Sequence, residues 1–148
     1  MSRRFEILPQ YRGLGVEVPR RHTALAAGYD LASAERVEIP PGGVAVVPTG
    51  VRAFMGRDEY LAIHVRSSLG LTRCLVLANG TGVIDADYAG SGADGGHIQI
   101  PLRNLGSRPE VIARGERVAQ GIFSRYLRTD DDEPGGARQG GFGSTGPL

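Results

Sequence analysis

The chain is predicted to be all-β, a sandwich or jelly roll with one short helix. Three observations carry this. Apolar residues alternate with polar ones over short runs, the signature of half-buried strands. Gly, Pro and Asn clusters punctuate those runs at short intervals. No long pattern of 3.6-residue period, no internal repeat and no strand–helix–strand alternation is present.

The elements follow in order. Residues 26–33, AAGYDLAS, read as an apolar strand with Asp30 inside it. Residues 37–39 (VEI) and 44–51 (VAVVPTGV) are rich in β-branched side chains, and PPGG at 40–43 turns the chain between them. In YLAIHVR, 60–66, Leu61, Ile63 and Val65 share one face. SSLGLTRC, 67–74, is the one helical stretch, and Gly70 keeps it short. An apolar run then enters a Gly-rich hairpin around Asn79-Gly80 and leaves through Val83-Ile84. HIQIPLR, 97–103, alternates again, and Pro101 within it predicts a sheet edge or a bulge. RVAQGIF, 117–123, is the last strand, after a turn at Arg114-Gly115. From Thr129 the chain is acidic and then Gly-rich, too poor in apolar surface to order itself. The expected organisation is one domain over 1–128 and a mobile arm over 129–148.

Composition narrows the function. A chain of 148 residues suits one domain with a real core. The net charge of +1 provides no strong field for nucleic acid. No apolar stretch approaches the ~18 residues of a membrane helix. The first residues, MSRRFEILPQYRGLG, contain no apolar core of a secretory signal. Cys74 is the only cysteine, which excludes an internal disulfide and fits a reducing cytoplasm. All 17 basic Lys+Arg residues are Arg.

Several short motifs hold residues suited to chemistry. In RSSLG, 66–70, an Arg ends a strand and two hydroxyls open a helix whose first N–H groups lack partners. That makes either an anion site or a capped helix beside a surface Arg. Arg117 and Gln120 of RVAQG put a guanidinium and an amide on one strand. Asp30, inside an apolar strand, needs an Arg or a hydrated metal as partner. In VLANGTGVIDADY, Asp85 and Asp87 stand at the base of a Gly-rich turn, where carboxylates position water or hold a cation. GGFGSTG, 140–146, has the glycines and hydroxyls of a phosphate cradle, and a ring, Phe142, suited to stacking on a base.

The order of these motifs, AGYDL, RSSLG, NGTGVIDADY, RVAQ and GGFGSTG, resembles that of the homotrimeric dUTP pyrophosphatase (dUTPase) family from about Pro19 to Gly146. The resemblance implies a jelly-roll-like distorted β-barrel with one short helix and a flexible C-terminal arm. It also implies homotrimers with shared active sites that hydrolyse dUTP to dUMP and pyrophosphate with Mg²⁺. Asp85 then matches the carboxylate that orients and deprotonates the attacking water. Tyr88 matches the ring that packs on deoxyribose and leaves no room for a 2′-OH. Asn79 and Gly82 match the uracil reader. Arg66, Ser67, Ser68 and Gly70 match the triphosphate motif, and Gln120 a further phosphate contact. Asp30 matches the acid that holds a Mg²⁺-bound water. Arg138, Phe142, Ser144 and Thr145 match the closing arm.

The match departs from the family pattern in two ways. Strict alternation would put Asp85 and Tyr88 on opposite faces, so a bend near Ala86–Asp87 is required. The Arg-Gly-Glu that commonly follows the tyrosine is replaced by a longer loop over 89–96, resembling some Gram-positive bacterial and phage members. Two alternatives remain. A dCTP deaminase on the same fold is expected to need a Glu near the base, and residues 75–96 contain none. A nucleotide-gated binding protein would use the 89–96 loop or the arm as its partner surface.

Overall fold

A computed structural model describes residues 3–138, 140 and 141. Its strands are β1 (Arg4–Ile7), β2 (Tyr29–Ala32), β3 (Val37–Ile39), β4 (Val44–Pro48), β5 (Val51–Phe54), β6 (Glu59–Val65), β7 (Leu75–Leu77), β8 (Gly82–Asp85), β9 (Gln99–Asn104), β10 (Glu110–Ile112) and β11 (Arg117–Arg125). One helix, α1 (Ser67–Arg73), and a 3₁₀ turn at Pro9–Tyr11 complete the described elements. The 3₁₀ turn has no periodic signal in the sequence; Pro9 sits at its start, where the missing N–H costs nothing.

The strands form a four-stranded sheet, β2-β11-β6-β8, a three-stranded sheet, β4-β9-β7, and two pairs, β1-β5 and β3-β10. All pair antiparallel. The inward faces meet in one core that includes Leu31, Val47, Leu61, Ile63, Leu75, Ile100, Leu102 and Val118. Leu61 and Ile63 are the alternating residues read from the sequence, each worth ~1.5–3 kcal/mol of transfer free energy when buried. The jelly-roll-like all-β reading therefore holds. Buried Asn104 spans the core edge, donating to the carbonyls of Ile39 (3.1 Å) and Arg108 (2.7 Å) and accepting from the Gly106 N–H (2.8 Å). No buried side-chain polar atom among the described residues lacks a partner.

Three local expectations are corrected. Residues 44–51 are not one strand: Thr49-Gly50 divides β4 from β5, with Gly50 at φ 74° against the Tyr11 ring. Pro101 lies in the central strand β9, with no register shift against β4. Its carbonyl accepts the Ala78 N–H at 2.9 Å, so its nitrogen faces the same flank, just past the end of β7. The missing donor thus falls where β7 stops. Third, residues 75–85 are not a paired hairpin. β7 joins β9 and β8 joins β6, so the Asn79-Gly80 turn carries the chain from one sheet to the other.

No helix among the described residues is long and apolar enough to cross a membrane. From Tyr126 onward the described residues form neither helix nor strand.

Candidate functional site

The crossing from β7 to β8 opens a cavity of about 260 Å³. Asn79, Gly82 and Tyr88 line it, as the sequence brought together, joined by Ile63, Leu77, Gln99 and Pro101. These last four were missed because alternation identifies a buried face but not which strands share a void. Gly82 faces Ile63 so closely that a Cβ would stand 2.9 Å from the Ile63 Cβ. A side chain there would enter the cavity wall, which explains glycine at this position.

Asp85 ends β8, and the required bend follows at once. The Tyr88 N–H donates to the Asp85 carbonyl at 3.1 Å, closing a turn over 85–88. This turn breaks the alternation and lets Asp85 and Tyr88 serve one region. Arg138 pairs through Nη2 with Asp85 and through Nε, at 2.8 Å, with Asp87. The arm's described end therefore lies against this carboxylate pair. Gly141 packs on Tyr88, where a Cβ would come 2.5 Å from the ring. Phe142, Ser144 and Thr145 lie outside the described residues.

Tyr88 is buried, and its hydroxyl sits 2.8 Å from the His97 carbonyl and 3.0 Å from Asp94 Oδ2. Burial first, then the Asp94 carboxylate, pushes the phenol well above its ordinary pKa, so it stays a donor. The buried His97 ring, packed on Tyr11, accepts the Gly50 N–H on Nε2 at 2.9 Å. Burial lowers the His97 pKa, against weaker opposing effects of Asp94 and Glu35. The neutral ring is the one the fold needs. The stability it contributes is thus present above the unfolded pKa of ~6.5 and lost as pH falls through the lower folded value. The thermal midpoint is expected to drop between pH 7.5 and 5.5, and to drop less in His97→Gln, whose amide oxygen accepts without titrating. Equal slopes for the two proteins would contradict this.

A second cluster gathers at the far end of the four-stranded sheet. Asp30 on β2 holds Arg117 Nη1 at 3.0 Å and His22 Nδ1 at 2.7 Å on Oδ2, with Arg66 Nε 3.8 Å from Oδ1. Of the two partners considered for Asp30, the structure contains the Arg pair. His22 had no sequence signal; it comes from a loop that the Arg20–Asp30 bridge folds alongside β2. Gln120 on β11 is opposite both Asp30 and His64. Its amide lies over Gly28, where a Cβ would stand 2.3 Å from Oε1. Arg66 precedes α1 as its N-cap, with no side-chain cap, and Ser67 and Ser68 open the helix exposed to solvent. Gly70, in the same helix, is half-buried. Three separate motifs thus converge on one basic, amide-bearing corner suited to phosphate.

The two clusters point apart. On β6, Gly82 is opposite Ile63 and Asp85 opposite Tyr60, while Arg66 follows the strand's other end. Asp85 and Arg66 of one chain are therefore roughly 20 Å apart along the sheet.

The chain matches the family model for dUTPase over residues 15–146. It is 42% identical over 146 residues to the deoxyuridine 5′-triphosphate nucleotidohydrolase of Lactococcus lactis subsp. lactis, covering 97% of each chain. Among solved structures it resembles the dUTPase from Streptococcus mutans, with a TM-score of 0.81 and 44% identity over 85% of this chain and 98% of that one. The dUTPase from phage phi11 of S. aureus shares the fold at a TM-score of 0.75 and 21% identity, over 90% of this chain and 96% of that one.

Proposed function

The chain belongs to the dUTPase family, and from that premise we propose how its residues hydrolyse dUTP to dUMP and pyrophosphate. The enzyme is a dUTP diphosphatase. The observation that carries the residue assignment is the direction of β8. Uracil placed in the cavity by Asn79 and the backbone around Gly82, with deoxyribose on Tyr88, sends the α-phosphorus toward Asp85. That path leads away from the same chain's Arg66. The triphosphate must then meet Arg66, Ser67, Ser68, the helix around Gly70 and Gln120 of another copy. A homotrimer with shared active sites satisfies this requirement.

In this reading Asp85 aims a water at the α-phosphorus and receives its proton. The new P–O bond forms as the bond to the bridging oxygen breaks, and pyrophosphate leaves. Asp is a weak base, with an ordinary pKa of ~3.9, so most of its effect comes from placing water in line. Arg66 and Gln120 neutralise and orient the phosphates. The arm, residues 129–148, closes over the bound nucleotide, with Arg138 moving from Asp85 and Asp87 to the phosphates and Phe142, Ser144 and Thr145 completing the lid.

Magnesium fits the donor set present. No group of three or more His, Cys, Asp or Glu among the described residues encloses an ion. Mg²⁺ keeps most of its water and is typically held by one or two carboxylates plus substrate phosphates. Asp30, beside the phosphate-binding arginines, matches that need through a water. When bound, the ion would neutralise charge on the leaving pyrophosphate. The proposed location is the cytoplasm, where the sole cysteine stays reduced.

The decisive measurement is pyrophosphate release from dUTP, UTP, dTTP and dCTP in parallel. Strong preference for dUTP is expected. Ammonia released from dCTP would instead support the deaminase reading, and equal rates on all four would overturn the pocket assignment.

A further inference from the structure

The loop that replaces Arg-Gly-Glu after Tyr88 is a folded clasp. The Gly90 N–H donates to the Gly95 carbonyl at 2.9 Å, and Ser91 returns to the Tyr88 carbonyl through both its N–H (3.0 Å) and its hydroxyl (2.7 Å). Gly90, Gly92, Gly95 and Gly96 all have positive φ. At Gly96 the backbone presses on Ala89 so tightly that a Cβ would stand 2.5 Å from the Ala89 Cα. Glycine here serves loop closure, away from the cavity.

Asp94 is the one carboxylate of this loop, and it works in two directions. Oδ1 accepts the Gly96 N–H at 3.1 Å, and Oδ2 faces the Tyr88 hydroxyl at 3.0 Å. The His97 carbonyl, 2.8 Å from the same hydroxyl, is a second anchor. The phenol has one proton to donate, and a carboxylate is the stronger, charge-assisted acceptor. Asp94 is half-buried, so solvent only partly competes for it.

We propose that Asp94 is a positioning residue that holds the Tyr88 ring at the tilt that rejects a 2′-hydroxyl, and so sets the preference for deoxyribose. This rests on the assignment of Tyr88 to the sugar. Without Asp94 the phenol keeps only the His97 carbonyl, a neutral acceptor about which the ring can pivot, whereas a hydroxyl braced by both groups does not yield to one added oxygen. Exclusion of an extra atom is only as strict as the wall is stiff.

The test is kcat/KM for dUTP and for UTP in the full-length enzyme and its variants. Asp94→Ala is expected to lower the dUTP-to-UTP ratio about tenfold, the difference between a charge-assisted hydrogen bond and the neutral one to the His97 carbonyl that remains. Asp94→Asn should keep the ratio within about threefold of wild type, because an amide still accepts from Gly96 and still bonds the phenol oxygen. Tyr88→Phe, which gives up both contacts, should lower the ratio at least as far as Asp94→Ala, and adding Asp94→Ala to it should change little. An unchanged ratio in Asp94→Ala, or equal loss in Asp94→Ala and Asp94→Asn, overturns the proposal. If Asp94→Ala does not fold, an unchanged ratio in Tyr88→Phe does the same. A wild-type enzyme indifferent to dUTP and UTP would instead overturn the Tyr88 assignment, and the Asp94 role with it.

Discussion

Asp85→Asn should lose turnover of dUTP by about 10²–10⁴-fold, the usual worth of a positioned general base. Its nucleotide affinity should stay within a few-fold of wild type. The amide has the size of the carboxylate but cannot take a proton. Asp85 is 49% exposed in its side chain and lies at a strand end, so the substitution leaves the core untouched. It also removes one of two carboxylates that hold Arg138, and Asp87 remains to hold the arm. Single-turnover rates beside equilibrium binding of a non-hydrolysable dUTP analogue separate the two effects. Full activity in Asp85→Asn would move the base elsewhere. Loss of binding equal to the loss of rate would make Asp85 a binding group.

The second large effect concerns the assembly. Arg66→Ala should be defective by about 100-fold, from loss of a bidentate, charged phosphate contact. Refolded together in equal amounts, Asp85→Asn and Arg66→Ala chains should recover about a quarter of wild-type activity, because random trimers place an intact Asp85 beside a neighbour's intact Arg66 in that share of sites. The geometry behind this is the register of β8 on β6, which puts the two groups at opposite ends of one sheet. A mixture no more active than its parents would mean that one chain supplies both residues, and the shared-site reading would fail.

Much of the candidate site was legible because chemistry constrains residue type locally. Asp85, Tyr88, Asn79 and Gly82 fall within ten residues, and the turn that unites them is itself local. The Arg66, Arg117 and Asp30 cluster was legible only as separate suspects. Asp30 and Arg117 are strand residues distant in sequence and Arg66 follows the end of β6, so pairing of β2 and β6 on β11 joins them. His22 and Gln99 carried no signal, since an isolated His or Gln looks the same in a void as on a surface. The 44–51 run read as one strand because β-branched residues continue through Thr49 and Val51; the break comes at Gly50, whose positive φ and close approach to the Tyr11 ring show only in the folded chain.

Residue order and type were enough to establish an all-β chain and the ordered motifs on which its resemblance to the dUTPase family rests, because strand alternation and motif spacing are short-range properties. Which strands adjoin and where the β7–β8 crossing leaves a void became visible only in the folded chain. Those relations depend on contacts between distant segments, whose partners are selected by burial of the shared core and not by neighbours in sequence.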